Sequence, residues 1–95
     1  MTREDFMQVV PTAFSKMVQA ARSVLDDDDA ARTVAVDVLE RWLSRGEYRK
    51  SEAPGAVVVG MRNAARWLAV DQRRTREGRV RDGVREAFLP PVEII

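Results

Sequence analysis

Residues 62–74 read R-N-A-A-R-W-L-A-V-D-Q-R-R. At 3.6 residues per turn, Ala64, Ala65 and Leu68 fall on one side of a helix, continuing an inner face begun by Val57 and Met61. Arg62, Arg66 and Arg73, spaced four and seven apart, share an outer side, and Asn63, Trp67, Val70 and Arg74 lie alongside them. An apolar side, a basic row and a tryptophan on one helix describe an element that packs inward and offers cations and a ring to nucleic acid outward. The plainer alternative is a salt-bridged surface with Trp67 partly buried. Asp71 is the one acid in the stretch and cannot neutralise the row.

This helix is expected to begin near Pro54, which suits a first helical turn, and to continue to about Arg76. Val57 to Val59 is β-branched, but three residues are too short for a strand and no partner strand exists elsewhere. Beyond it, Gly78 and Gly83 dilute a basic segment carrying Arg79, Arg81 and Arg85, which is expected to form a short fourth helix ending near Phe88. Pro90 and Pro91 forbid continuation, which leaves an aliphatic tail over 90–95 and a domain over 1–89.

Immediately upstream, residues 46–55 read G-E-Y-R-K-S-E-A-P-G, a polar loop bracketed by glycines. Tyr48, Arg49 and Lys50 together offer a ring for stacking a base and two cations for phosphates, against the plain reading of a solvated turn whose tyrosine packs down on the domain.

The preceding helix is expected from about Asp29 to Arg45, with Gly46 as its C-cap. Ala31, Val34, Ala35, Val38, Leu39 and Trp42 define its core face. Val36 lies ~200° around the helix from Val34 and Leu43 shares that outer side. Thr33, Val36, Asp37, Glu40 and Leu43 therefore form a second, mixed stripe, the composition of a protein-partner surface, although single exposed aliphatics are common.

Asp26 to Asp29 invites a metal reading, because hard cations take oxygen ligands. Capping is the stronger account: aspartates favour turns and N-caps, and these stand before an apolar-periodic segment where the helix dipole rewards negative charge. The spacing of a calcium-binding loop is absent. The first helix is expected to start at Thr2, with Asp5 in a weak capping box, and to bury Phe6, Val10, Ala13, Phe14, Met17, Ala21 and Val24. Pro11 removes a backbone donor, so this helix is expected to be kinked or in two parts.

The bulk numbers fit one small all-α domain. Ninety-five residues with no cysteine and no histidine lack a disulfide framework, thiolate metal sites, the commonest metal ligand and the usual general base. No catalytic residue, metal ligand or cofactor is assigned, and an enzyme using Asp26 to Asp29 with a divalent ion is the remote alternative. The charged start and the lack of a long apolar run point to a cytoplasmic protein that does not engage the membrane. The net charge of +1 hides an asymmetry: residues 1–47 carry six Lys/Arg against nine Asp/Glu, residues 48–95 ten against six. The second half is the half that seeks polyanions.

Taken in order, these pieces resemble region 2 of bacterial RNA polymerase sigma factors of the extracytoplasmic-function type. Phe6, Ala21-Arg22, Val24-Leu25, Ala31 and the run Val34 to Leu39 fit, without gaps, the first helix and the D-A-E-D-L-V-Q-E-V-F segment of that family. Ala65 to Asp71 followed by Arg73-Arg74 looks like its A-R-N-L-A-L-D and basic run. The likeness covers about residues 5–76 and implies a sigma region 2-like bundle of three main helices plus a short fourth.

The resemblance further implies two partners. The stripe of Thr33, Val36, Asp37, Glu40 and Leu43 would bind the clamp helices of the largest subunit of core polymerase. Tyr48, Arg49, Lys50 and Ser51 of the loop, with Arg62, Asn63, Arg66, Trp67, Arg73 and Arg74 of the helix, would meet a partly single-stranded promoter −10 element. Thr33, Val36 and Asp37 depart from the family's polar residues on the clamp-binding face, and Trp67 stands where the family has Asn. No second domain for a −35 element is present in these residues, so the resemblance leaves open an excised domain or half of a split sigma factor whose partner subunit supplies region 4. An anti-sigma regulator is a further implied partner. The competing reading is an interaction protein, an inhibitor or decoy, that binds polymerase or a sigma regulator without reading promoters.

Overall fold

The computed structural model describes residues 1–88, with side chains through Thr75. The expected tail over 90–95 lies outside the described residues, as do the side chains of Arg79, Arg81 and Arg85. The chain is an all-α bundle: α1 (Arg3–Leu25), α2 (Asp28–Arg45), a 3-10 turn (Glu47–Lys50) and α3 (Pro54–Phe88).

The helix ends follow from local chemistry. Thr2 is extended and its side chain accepts from the Asp5 N–H at 3.2 Å, so it caps α1. At the other end Asp26 adopts a left-handed φ of 53° and donates its N–H to the Arg22 carbonyl. Asp27, one residue on, is the N-cap of α2, with Oδ1 accepting from Asp29 N at 3.0 Å and Ala30 N at 3.3 Å. Gly46 closes α2 at φ 64°, a backbone state that costs a residue with a Cβ.

Two expectations about continuity are corrected. α1 is one helix rather than two parts, with Pro11 inside it. Both Met7, whose carbonyl loses its helical donor, and Pro11 are exposed, so water satisfies the carbonyl at that point. The separate fourth helix is not a separate element, because α3 runs unbroken to Phe88. Gly78 and Gly83 weaken a helix by about 1 kcal/mol each but do not forbid it, and no proline intervenes before Pro90.

The core is contributed evenly. Phe6, Ala13, Met17 and Ala21 from α1, Ala31, Val34, Ala35 and Val38 from α2, and Val57, Met61, Ala65 and Ala69 from α3 are all buried. These are the expected inner faces, with Ala69 added to α3. The most extensive packing is between α1 and α3. The Met1 nitrogen donates to the Ser51 carbonyl at 3.0 Å, just before α3 begins, and Ser23 and Val24 near the end of α1 line a groove with Arg66 to Arg74. α1 and α3 therefore run parallel, with α2 returning between their ends. Small residues allow close approach: a Cβ on Gly60 would stand 3.1 Å from the Trp42 ring. Among the described residues, no helix is long and apolar enough to cross a membrane.

Candidate nucleic-acid interface

α3 owes its outward face to the burial of the other one. Once Val57, Met61, Ala65 and Ala69 are committed to the core, the helical repeat forces Arg62, Asn63, Arg66, Trp67, Arg73 and Arg74 outward, and all six are exposed. Trp67 is 72% exposed, the most exposed of the large apolar side chains. A ring of that size costs free energy in water, and its exposure is the kind of observation that marks a contact surface.

Asn63, Arg66, Trp67, Val70 and Arg74 line one groove of about 400 Å³. A second groove lies beside it, lined by Ser23 and Val24 of α1 and by Arg66, Val70, Arg73 and Arg74 of α3. Arg66, Val70 and Arg74 belong to both. Among the described residues, Arg62, Arg66 and Arg74 make no ion pair or hydrogen bond, whereas the acidic half of the chain is largely paired within itself. Asp28 holds Arg32 at 3.0 Å and Arg22 at 3.9 Å, and Asp37 holds Arg41 at 3.2 Å. The arginines of α3 thus keep their charge available to an outside anion, and a planar guanidinium suits a phosphate or a base edge.

The loop residues are placed differently. Tyr48 is 3% exposed, with its ring stacked on Phe6 at a centroid distance of 4.7 Å. In this position it offers no face to a base, so its expected role as a stacking platform is withdrawn in favour of a core role. Arg49 lies over the same ring, 5.8 Å from its centroid, and Lys50 pairs with Glu47 at 3.2 Å. Ser51 donates from Oγ to the Ala53 carbonyl at 3.4 Å. Tyr48 and Arg49 line a groove with Arg3, Glu40 and Leu43, apart from the two on α3.

On α2, Thr33, Val36 and Glu40 are exposed while Asp37 and Leu43 are half-buried. Val36 is 43% exposed. The mixed stripe therefore does lie on the outer side of α2. Thr33 spends its hydroxyl on the Asp29 carbonyl at 2.9 Å, and Asp37 is tied to Arg41, so Val36, Glu40 and Leu43 are the members left to meet a partner.

Among the described residues no group of acids or other ligands is arranged to hold a metal ion. The four aspartates are occupied with capping, with the α1 to α2 turn and with the ion pairs of Asp28. Ser23 and Val24 are interface candidates that sequence reasoning missed. No local signal identifies them, because they join the site only through the parallel packing of α1 on α3.

Comparisons of the chain with protein-family models, with curated proteins and with solved structures find no match.

Proposed function

We propose that this chain is a sigma region 2-like transcription module, which binds core RNA polymerase through the outer side of α2 and a partly single-stranded promoter −10 element through the outer side of α3. The observation that carries the reading is Trp67, 72% exposed in a groove with Arg66 and Arg74. Single-stranded nucleic acid is held by aromatic faces and cations together, and each stacked base is worth about 1–3 kcal/mol. The ordered resemblance of residues 5–76 supplies the identity of the partners.

The loop contributes less to this reading than its composition suggests. With Tyr48 buried, base capture falls to Trp67, and Arg49, Lys50 and Ser51 are left with contacts to the phosphate backbone. That burial also favours a second reading, an interaction protein that keeps the α2 surface and does not read promoters. Polymerase as partner, the −10 element and a separate region 4 subunit or regulator all belong to the proposal.

The test is a gel-filtration experiment with bacterial core polymerase and a labelled single-stranded −10 oligonucleotide. The chain is expected to co-elute with polymerase and to retain the oligonucleotide. Val36→Asp abolishes the first and Trp67→Ala the second. Co-elution without oligonucleotide binding at low salt selects the second reading, and failure to co-elute with polymerase overturns both.

A further inference from the structure

The two grooves on α3 share a wall. Trp67 belongs to the first, Ser23 and Val24 of α1 to the second, and Arg66, Val70 and Arg74 to both. A ligand that stacks a base on Trp67 therefore has its adjoining backbone directed over Arg66 and Arg74 toward the end of α1. Neither arginine is engaged by a described residue, and Arg73 adds a further cation to the second groove.

What the end of α1 contributes is room. The exposed Ser23 is small, and its hydroxyl already donates to the Ala20 carbonyl at 2.7 Å, so it projects no charge and no long side chain into the groove. Val24 is half-buried and forms the apolar floor beside it. A groove with arginines on one wall and a short, neutral, self-satisfied residue on the other fits a phosphate better than a protein side chain, which would find little apolar surface there.

We infer that the groove between the end of α1 and α3 is a phosphate seat for the nucleotide that stacks on Trp67, so that α1 sets the path of the strand. The inference rests on the reading of α3 as a single-strand surface and adds to it a phosphate position, a second helix and a fixed direction from base to backbone.

The charge of the seat is tested by a matched pair at one exposed position. Ser23→Asp places a carboxylate opposite Arg66 and Arg74, whereas Ser23→Asn has nearly the same size without the charge. Binding of a short fluorescein-labelled single-stranded oligodeoxynucleotide is measured by anisotropy across a salt series. Ser23→Asp is expected to weaken binding about tenfold, the value of one charge-assisted contact, and to lower the log–log salt slope by roughly 0.7, the release of one counterion from a single strand. Ser23→Asn leaves both unchanged. Arg74→Gln, also at an exposed position, lowers the slope similarly, while Trp67→Ala weakens binding with the slope intact. Equal binding by Ser23→Asp and Ser23→Asn overturns the seat and leaves the α3 reading standing. No binding by the unaltered chain at low salt overturns the reading and the seat with it.

Discussion

The Tyr48 ring lies against Phe6, 4.7 Å between centroids and 20° from parallel, so a residue of the connection between α2 and α3 closes one end of the core. Phe6 is also stacked with Trp42 at 6.5 Å, which makes it the middle of three rings drawn from α1, α2 and the 3-10 turn. Tyr48→Ala is expected to destabilise the fold by about 3 kcal/mol, as large-to-small changes at buried aromatics do. Tyr48→Phe keeps the stacked ring and should hold stability within about 1 kcal/mol. Urea titrations followed by circular dichroism measure both. A Tyr48→Ala chain as stable as the parent would mean that the ring is not a core element.

The close approach of α2 and α3 makes a second prediction about size. A Cβ on Gly60 would meet the Trp42 ring at 3.1 and 3.3 Å, whereas one on Gly55 would meet nothing within 4 Å. Gly60→Val is expected to cost about 1–3 kcal/mol by overpacking. Gly55→Ala, in the first turn of the same helix, is expected to gain about 0.5 kcal/mol from reduced backbone freedom in the unfolded chain. Thermal melts of the two variants should therefore shift in opposite directions, and a shared sign would show that helix propensity, not the Trp42 contact, governs position 60.

Adjacent aspartates should respond oppositely for a similar geometric reason. Asp27 caps α2 through two backbone N–H groups, so Asp27→Ala is expected to lose about 1 kcal/mol. Asp26 stands at φ 53°, where glycine is at ease, so Asp26→Gly is expected to be neutral or to gain up to about 1 kcal/mol. With the aspartates committed to caps and ion pairs, neither EDTA nor added magnesium should move the melting temperature. A magnesium-dependent rise lost in Asp27→Ala would restore the metal reading of this segment.

These cases show what in the fold was legible from sequence. The caps at Thr2, Asp27 and Gly46 and the inner faces of all three helices are local properties, fixed by residues within a turn or two of one another. The inward turn of Tyr48 was not legible, since it depends on Phe6 at the far end of the chain and on α1 lying where it does. The same holds for Ser23 and Val24, which join the α3 grooves only when α1 and α3 pack in parallel. The unbroken course of α3 was misjudged on two glycines, whose cost is a modest penalty rather than a stop. The outward row of arginines was legible because burying one face of an amphipathic helix leaves the other nowhere else to go.

Trp67 provides the sharpest separation of structure from recognition. At 72% exposure, with Asn63, Arg66, Val70 and Arg74 around it in an open groove, it contributes little to the core, and Trp67→Ala should change stability by no more than about 0.5 kcal/mol. The same change should weaken single-stranded DNA binding roughly 5- to 100-fold, the value of about 1–3 kcal/mol for one stacked base. Fluorescence distinguishes the two effects in one titration. The second tryptophan, Trp42, is half-buried against Phe6, so in the parent chain oligonucleotide should quench chiefly the red-shifted emission of Trp67, and in Trp67→Ala the remaining emission of Trp42 should not respond. Quenching that persists after Trp67→Ala would move the base-binding surface away from this groove, and an unfolded Trp67→Ala chain would mean that the ring is structural after all.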